Sequence, residues 1–176
     1  DKTLRNMNRR YSAAEYAEKC ELIRKFYPSP ALTTDVIVGF PMETEEDFEE
    51  SYEFVKNIHF YETHIFKYSR RQGTKAAVME GQLTEAVKSI RSEKMIALHE
   101  IRAKEYETSM IGKTLELLLE EEVEINGKTY FMAHSKEYVR AVIEKTKDRK
   151  VNDLVRAKAV DFADEHVLLA ICEELY

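Results

Sequence analysis

The chain has 176 residues, 44% hydrophobic and 34% charged, with a formal net charge of −6. That length makes one domain or two small ones with enough apolar content for a core, and the acidic balance argues against a surface given over wholly to nucleic acid. No apolar run approaches the roughly 20 residues of a membrane span, so no membrane role is expected, and no signal peptide opens the chain. The two cysteines, Cys20 and Cys172, stand far apart in helical and strand-like surroundings. They form neither a disulfide framework nor a metal-ligand spacing, which makes a reducing cytoplasm the expected setting.

In chain order, DKTLRNMNRRY reads as the tail of an element. Ser12 with Glu15 is a capping-box pattern, and the helix behind it carries Tyr16, Cys20 and Ile23 on one apolar stripe before Tyr27-Pro28 ends it. Cys20 on that stripe reads as a core residue. Thr33 to Val38 (TTDVIV) has the composition of a strand buried on both faces, and Gly39-Phe40-Pro41 stops it. Thr44 with Asp47 predicts an N-cap for a helix from Glu45 to about Ile58, with Phe48, Tyr52 and Val55 on one face. A second strand follows at Glu62 to Tyr68. Strand, helix and strand on short connections predict a right-handed parallel βαβ crossover. Ligands in such units sit beyond the carboxyl ends of the strands, which directs the search for chemistry to Gly39 through Glu43. Two strands make no stable sheet by themselves: either a partner chain completes the sheet, or the segment is the end of a larger α/β domain.

Ser69 to Gly81 is a loop by composition. Thr84 to about Met110 predicts a long helix with Val87, Ile90, Leu98 and Ile101 on its apolar face, stopped at Gly112. Five short strand-like runs follow (Thr114 to Glu122, Lys128 to His134, Tyr138 to Ile143, Leu154 to Asp161, His166 to Ile171), with Asn126-Gly127 a hairpin turn between the first two. The expected architecture is α/β plus β: residues 1–112 form a portion of a repeating α/β fold, and residues 113–176 a small five-stranded antiparallel barrel of the oligonucleotide-binding type. Charge is uneven: four basic residues and no acid from Lys67 to Lys75, and eight basic against four acidic from Lys136 to Lys158. These patches suit local RNA contact or are solvated loops. The five histidines show no metal spacing and no paired nucleophile.

The segments LRNMNRRYSAAEY, TTDVIVGFPMETEEDF and HIFKYSRRQGTKAA together resemble the radical S-adenosylmethionine methylthiotransferases. The resemblance covers nearly the whole chain. It implies the last strands and helices of the family's partial radical-SAM barrel, followed by a TRAM domain that contacts RNA. MNRRY and YSRRQGT look most like the branch that methylthiolates threonylcarbamoyladenosine beside the tRNA anticodon, with the isopentenyladenosine branch as the runner-up. The implied reaction cleaves S-adenosylmethionine reductively to a 5′-deoxyadenosyl radical, abstracts hydrogen from the adenine ring and inserts sulfur as a methylthio group, with S-adenosylmethionine and two 4Fe-4S clusters as cofactors.

This sequence departs from the family in two ways. It has no CxxxCxxC motif, so the chain is expected to be a carboxy-terminal fragment that binds no cluster and is inactive without the amino-terminal part of the same protein. Met42 stands where the family usually has glycine, which would strain a left-handed turn. Carried over from the family, Gly39, Phe40 and Pro41 are expected against the adenosyl part of the cofactor, unless they merely end the strand. Asp35, a lone carboxylate in an apolar run, is expected toward cofactor or substrate, or paired with an arginine. Arg9 or Arg10 would bind the cofactor carboxylate or sit in water. Tyr68, Arg70 and Arg71 are candidates for stacking and phosphate contact with an extruded base. Lys136, Arg140, Arg156 and Lys158, with Tyr130, Phe131 and Tyr138 interleaved, are candidates for RNA phosphate contact. The expected partners are the tRNA anticodon stem-loop, the missing amino-terminal part and, through the open sheet edge, a second copy of the chain. A non-catalytic α/β scaffold carrying an RNA-binding module is the alternative from another class.

Overall fold

The computed structural model describes residues 1–172 and falls into two compact units, residues 1–103 and the chain from Lys104 onward. In the first, a short helix α1 (Lys2–Asn6) precedes α2 (Ala13–Phe26), β1 (Thr33–Val38), α3 (Glu45–Ile58), β2 (Glu62–Lys67), α4 (Lys75–Val78) and α5 (Glu85–Thr108). Both anticipated caps form, with Ser12 and Thr44 accepting from the backbone of Glu15 and Asp47 and both reciprocal bonds present. The segment expected to be all loop contains α4, capped by Thr74.

β1 and β2 pair in parallel and in register from Thr33↔Glu62 to Val38↔Lys67. Side chains alternate across the sheet. Val36, Val38 and Ile65 pack with Phe48 and Val55 of α3, Cys20 of α2, and Met95 and Leu98 of α5. The opposite face, carrying Asp35 and Ile37 of β1 with His64 and Phe66 of β2, is exposed. β1 is therefore covered on one face only, correcting the expectation of burial on both; its β-branched content reports strand propensity, not two-sided cover.

Two helix faces also differ from the periodicity. Ile23 lies exposed, and Arg24 in its place donates to the carbonyls of Ile58 and His59. On α5 the buried stripe is Lys88, Arg91, Met95 and Leu98, while Ile90 and Ile101 face outward. Arg91 turns inward to the buried Glu43 carboxylate, while Lys88 lays its stem against Gly39 and sends its ammonium to Glu85 on its own helix.

The second unit contains β3 (Thr114–Ile125), β4 (Lys128–Ser135), β5 (Arg140–Glu144), β6 (Leu154–Asp164) and β7 (Val167–Cys172). They close in the order β3-β4-β5-β7-β6, with β6 returning to β3. Asn126 and Gly127 both take positive φ in the β3–β4 turn, as a type I′ hairpin requires. The expected antiparallel sheet is mixed: β5 and β7 run parallel, Ala141 opposite Leu168. A ring of five strands cannot alternate direction at every step, so one pairing must be parallel. Leu117, Leu119, Phe131 and Leu168 fill the interior. Phe131 is fully buried, which withdraws it from the aromatics proposed to face RNA. At the base of this unit Glu107 is buried and takes both oxygens to His166 Nδ1 at 3.1 and 3.0 Å. Burial pushes the Glu107 carboxyl above its ordinary range, against the pull of His166.

Candidate functional site

The turn after β1 is built from inside. Gly39 takes φ +73°, and a Cβ there would lie 2.4 Å from Cγ of Lys88, so glycine is required by both conformation and space. The close approach at Gly39 is thus made by a lysine stem of α5. Phe40 and Pro41 are buried, with Phe40 edge-on to Tyr68 at 5.2 Å. Met42 takes φ +67°, the conformation anticipated from the family's glycine. It is held there by its N–H donating to Gly81 O at 2.9 Å.

Glu43 then turns back into the protein. Its Oε2 accepts from Gly39 N–H at 2.7 Å and from Arg91 Nη1 at 2.6 Å, and Arg91 also reaches Glu43 O and Glu45 Oε2. Both side chains are almost fully buried, at 3% and 5% exposure. Burial pushes the Glu43 carboxyl up, opposed by Gly39 N–H and Arg91. Glu43, Lys88 and Arg91 thus clamp the turn to α5. The sequence reading directed attention to Glu43 but assigned it no role, and missed both cations, because an apolar-periodicity argument places Lys and Arg outside. The usable signal was that Lys88 and Arg91 share the helical phase of Met95 and Leu98.

A cavity of about 420 Å³ lies along β1, walled by Leu4, Arg9, Tyr16, Asp35, Ile37 and Phe66 among others. Arg9 and Asp35 are therefore brought together on one cavity. Arg10 is exposed and lies outside its walls; the buried Gly39, Phe40 and Pro41 do not line it either. Tyr68 is half-buried: its ring packs on Phe40 and under the Lys88 ammonium, and its hydroxyl is buried without a protein partner. Arg70 donates through Nε to Ala77 O at 2.6 Å, while Arg71 is exposed and its carbonyl caps the turn at Thr74. In the barrel Lys136, Arg140, Arg156 and Lys158 are all exposed, the last two alternating with inward Val155 and Ala157.

A guanidinium and a carboxylate on one cavity suit the carboxylate and ammonium of an amino-acid moiety such as that of S-adenosylmethionine. An iron–sulfur cluster does not fit the described residues: Cys20 is a buried core residue whose thiol is pushed up by burial, and no group of three metal-ligating side chains occurs among them. No helix among the described residues is long and apolar enough to cross a membrane.

Residues 1–55 match the family model of the radical SAM superfamily. The chain is 40% identical over 156 residues to threonylcarbamoyladenosine tRNA methylthiotransferase MtaB of Bacillus subtilis, covering 88% of this chain and 34% of that protein. It is 38% identical over 173 residues to the tRNA-2-methylthio-N(6)-dimethylallyladenosine synthase of Streptomyces coelicolor, covering 97% of this chain and 34% of that protein. The synthase of the same name from Caldicellulosiruptor saccharolyticus is 42% identical over 117 residues, 66% of this chain and 25% of that protein. The chain spans at most about a third of these relatives. With MNRRY, GFP and YSRRQGT in place and the turn after β1 built around its glycine, the chain belongs to the radical S-adenosylmethionine methylthiotransferase family.

Proposed function

We propose that the chain is the carboxy-terminal portion of a tRNA methylthiotransferase acting on threonylcarbamoyladenosine beside the anticodon. The observation that carries this is the identity to the Bacillus subtilis protein across 88% of the chain, together with the MNRRY and YSRRQGT motifs. S-adenosylmethionine, when bound with its cluster, supplies the adenosyl radical chemistry; this chain's residues position and enclose. Arg9 holds the cofactor carboxylate and Asp35 accepts from its ammonium, while Arg10, outside the cavity, takes no part in it. The turn at Gly39, Phe40 and Pro41, clamped by Glu43 and Arg91, anchors the carboxyl end of β1, the strand that carries Asp35 at its middle. The exposed face of the sheet, with Ile37 and Phe66, offers apolar surface to adenine rings. Arg71 reaches substrate phosphate, while Tyr68, its hydroxyl buried, supports the turn through Phe40. The barrel is of the TRAM type and presents Lys136, Arg140, Arg156 and Lys158 to tRNA. The cluster thiolates and the remaining barrel strands belong to the amino-terminal part of the same protein, without which the chain is inactive.

The test is nucleoside mass spectrometry of tRNA from cells lacking the endogenous enzyme, complemented with the full-length gene. The 2-methylthio derivative of threonylcarbamoyladenosine should be restored, and Asp35→Asn should reduce it with folding unchanged. Restoration of the isopentenyladenosine derivative instead moves the protein to the other branch. Restoration of neither overturns the enzyme reading and leaves an RNA-binding scaffold.

A further inference from the structure

The outer face of the small barrel carries a continuous row that the sequence reading did not join. In register, Leu154 of β6 lies opposite Leu118 of β3, Leu118 opposite His134 of β4, and His134 opposite Arg140 of β5. Residues directly opposite share a face, and their neighbours along the strands (Leu117, Ala133, Ala141) point into the core. Three inter-strand steps of roughly 4.8 Å make the row about 14 Å long. Leu154 is 63% and Leu118 40% exposed, two large aliphatic side chains adjoining on a solvated surface.

Tyr138 stands beside this row, its ring 6.4 Å from that of His134, and is 79% exposed. Its φ is +62°, a conformation that is an outlier for a bulky side chain. The backbone is held there by a turn organised on Ser135, itself buried. The Ser135 hydroxyl accepts from Glu137 and Val139 N–H, its carbonyl accepts from Tyr138 N–H at 2.9 Å, and its N–H donates to Val139 O at 3.0 Å. Strain that aims an aromatic ring at solvent and is over-determined by a buried residue is the pattern of a functional position.

We propose that Tyr138, with His134 and the Leu118–Leu154 surface, is the platform on which an unpaired RNA base stacks. Arg140, Lys136 and Arg156 flank the platform and meet the adjoining phosphates. This rests on the RNA-contact reading above and names the base-binding residues within it. Charge complementarity selects the occupant. Three cations border the apolar row, while Glu116 lies opposite Arg156 and Glu120 is occupied by His134 at 2.7 Å. Aromatic rings with bordering guanidinium and ammonium groups take single-stranded nucleotides without demanding a sequence.

The experiment uses the 176-residue chain and an RNA stem-loop carrying 2-aminopurine in its loop. Binding should quench the fluorophore. Tyr138→Ala should weaken binding about tenfold and abolish the quench at saturation, and Tyr138→Trp should keep both. Lys136→Gln with Arg140→Gln should lower affinity and flatten the salt dependence while leaving the saturated quench intact. Unchanged binding and quench in Tyr138→Ala, with the charge variant impaired, overturns the platform and leaves the RNA-contact reading standing. Absence of wild-type binding overturns both. Self-association abolished by Tyr138→Ala would make the face an interface between copies and overturn the proposal.

Discussion

Replacing Arg91 by Met removes one partner of a nearly dry ion pair while keeping most of the side-chain volume. Glu43 then retains Gly39 N–H at 2.7 Å as its donor and loses the guanidinium at 2.6 Å. Breaking a buried pair in this way costs about 3–5 kcal/mol. The carboxyl has an escape, which is to take up a proton. Starting from the ordinary value of 4.5, neutralisation at pH 7 costs about 3.4 kcal/mol at 1.36 kcal/mol per unit, which caps the loss near that figure. In the variant the folded-state carboxyl sits above its unfolded value, so stability is fullest below that unfolded value and drains away as pH rises through the folded one. Burial already holds the wild-type carboxyl above its ordinary value, so the deficit should shrink by at most about 2 kcal/mol between pH 7 and about pH 5.5. Urea unfolding of the chain at the two pH values, wild type against variant, measures it. Glu43→Gln in the Arg91→Met background should remove the pH dependence. A loss below about 1 kcal/mol at pH 7, or one equal at both pH values, would refute the claim that this pair is buried and ionised.

Three further outcomes follow. Gly39→Ala should destabilise by about 2–3 kcal/mol, from positive φ and the clash with Lys88, and Lys88→Ala in the same chain should return the steric part; equal melting of the single and double variants would sink this. Met42→Gly should stabilise by about 0.5–1 kcal/mol, relief of the left-handed strain outweighing the added freedom of the unfolded chain, because the Met42 side chain is 48% exposed and the backbone bond to Gly81 O is kept; a lower melting temperature would show that the lost packing of the Met42 side chain beside Gly81 matters more. The Asp47 carboxyl is held below its ordinary 3.8 by Lys2 and then by Thr44. Its contribution is present above that value and lost as pH falls through the folded one, so Asp47→Asn should flatten the acid limb of a melting-temperature profile, and an unaltered limb would count against it.

The local structure was legible because it is locally caused. Capping boxes at Ser12 and Thr44, the Asn126-Gly127 turn, and the span of α3 each depend on residues within a few positions of one another, and the sequence names them directly. Gly39-Phe40-Pro41 located the turn after β1, and the family's glycine at position 42 raised the question of a positive φ, which Met42 adopts. Tertiary structure alone decided which way side chains face when a long-range partner overrides polarity. Arg91 turns inward because Glu43 lies 48 residues away waiting for it, and Ile90 and Ile101 are left outside by the same rotation of α5. Periodicity could not reveal that Asp35 and Ile37 lie on an open face, since a strand covered on one side and one covered on both differ in neighbours, not in propensity. Closure of five strands demands one parallel pairing, which the expectation of an all-antiparallel barrel overlooked, and only the structure decided that it falls between β5 and β7. The row from Leu154 to Arg140 required their register, because residues on four strands become one surface only once pairing fixes who stands beside whom.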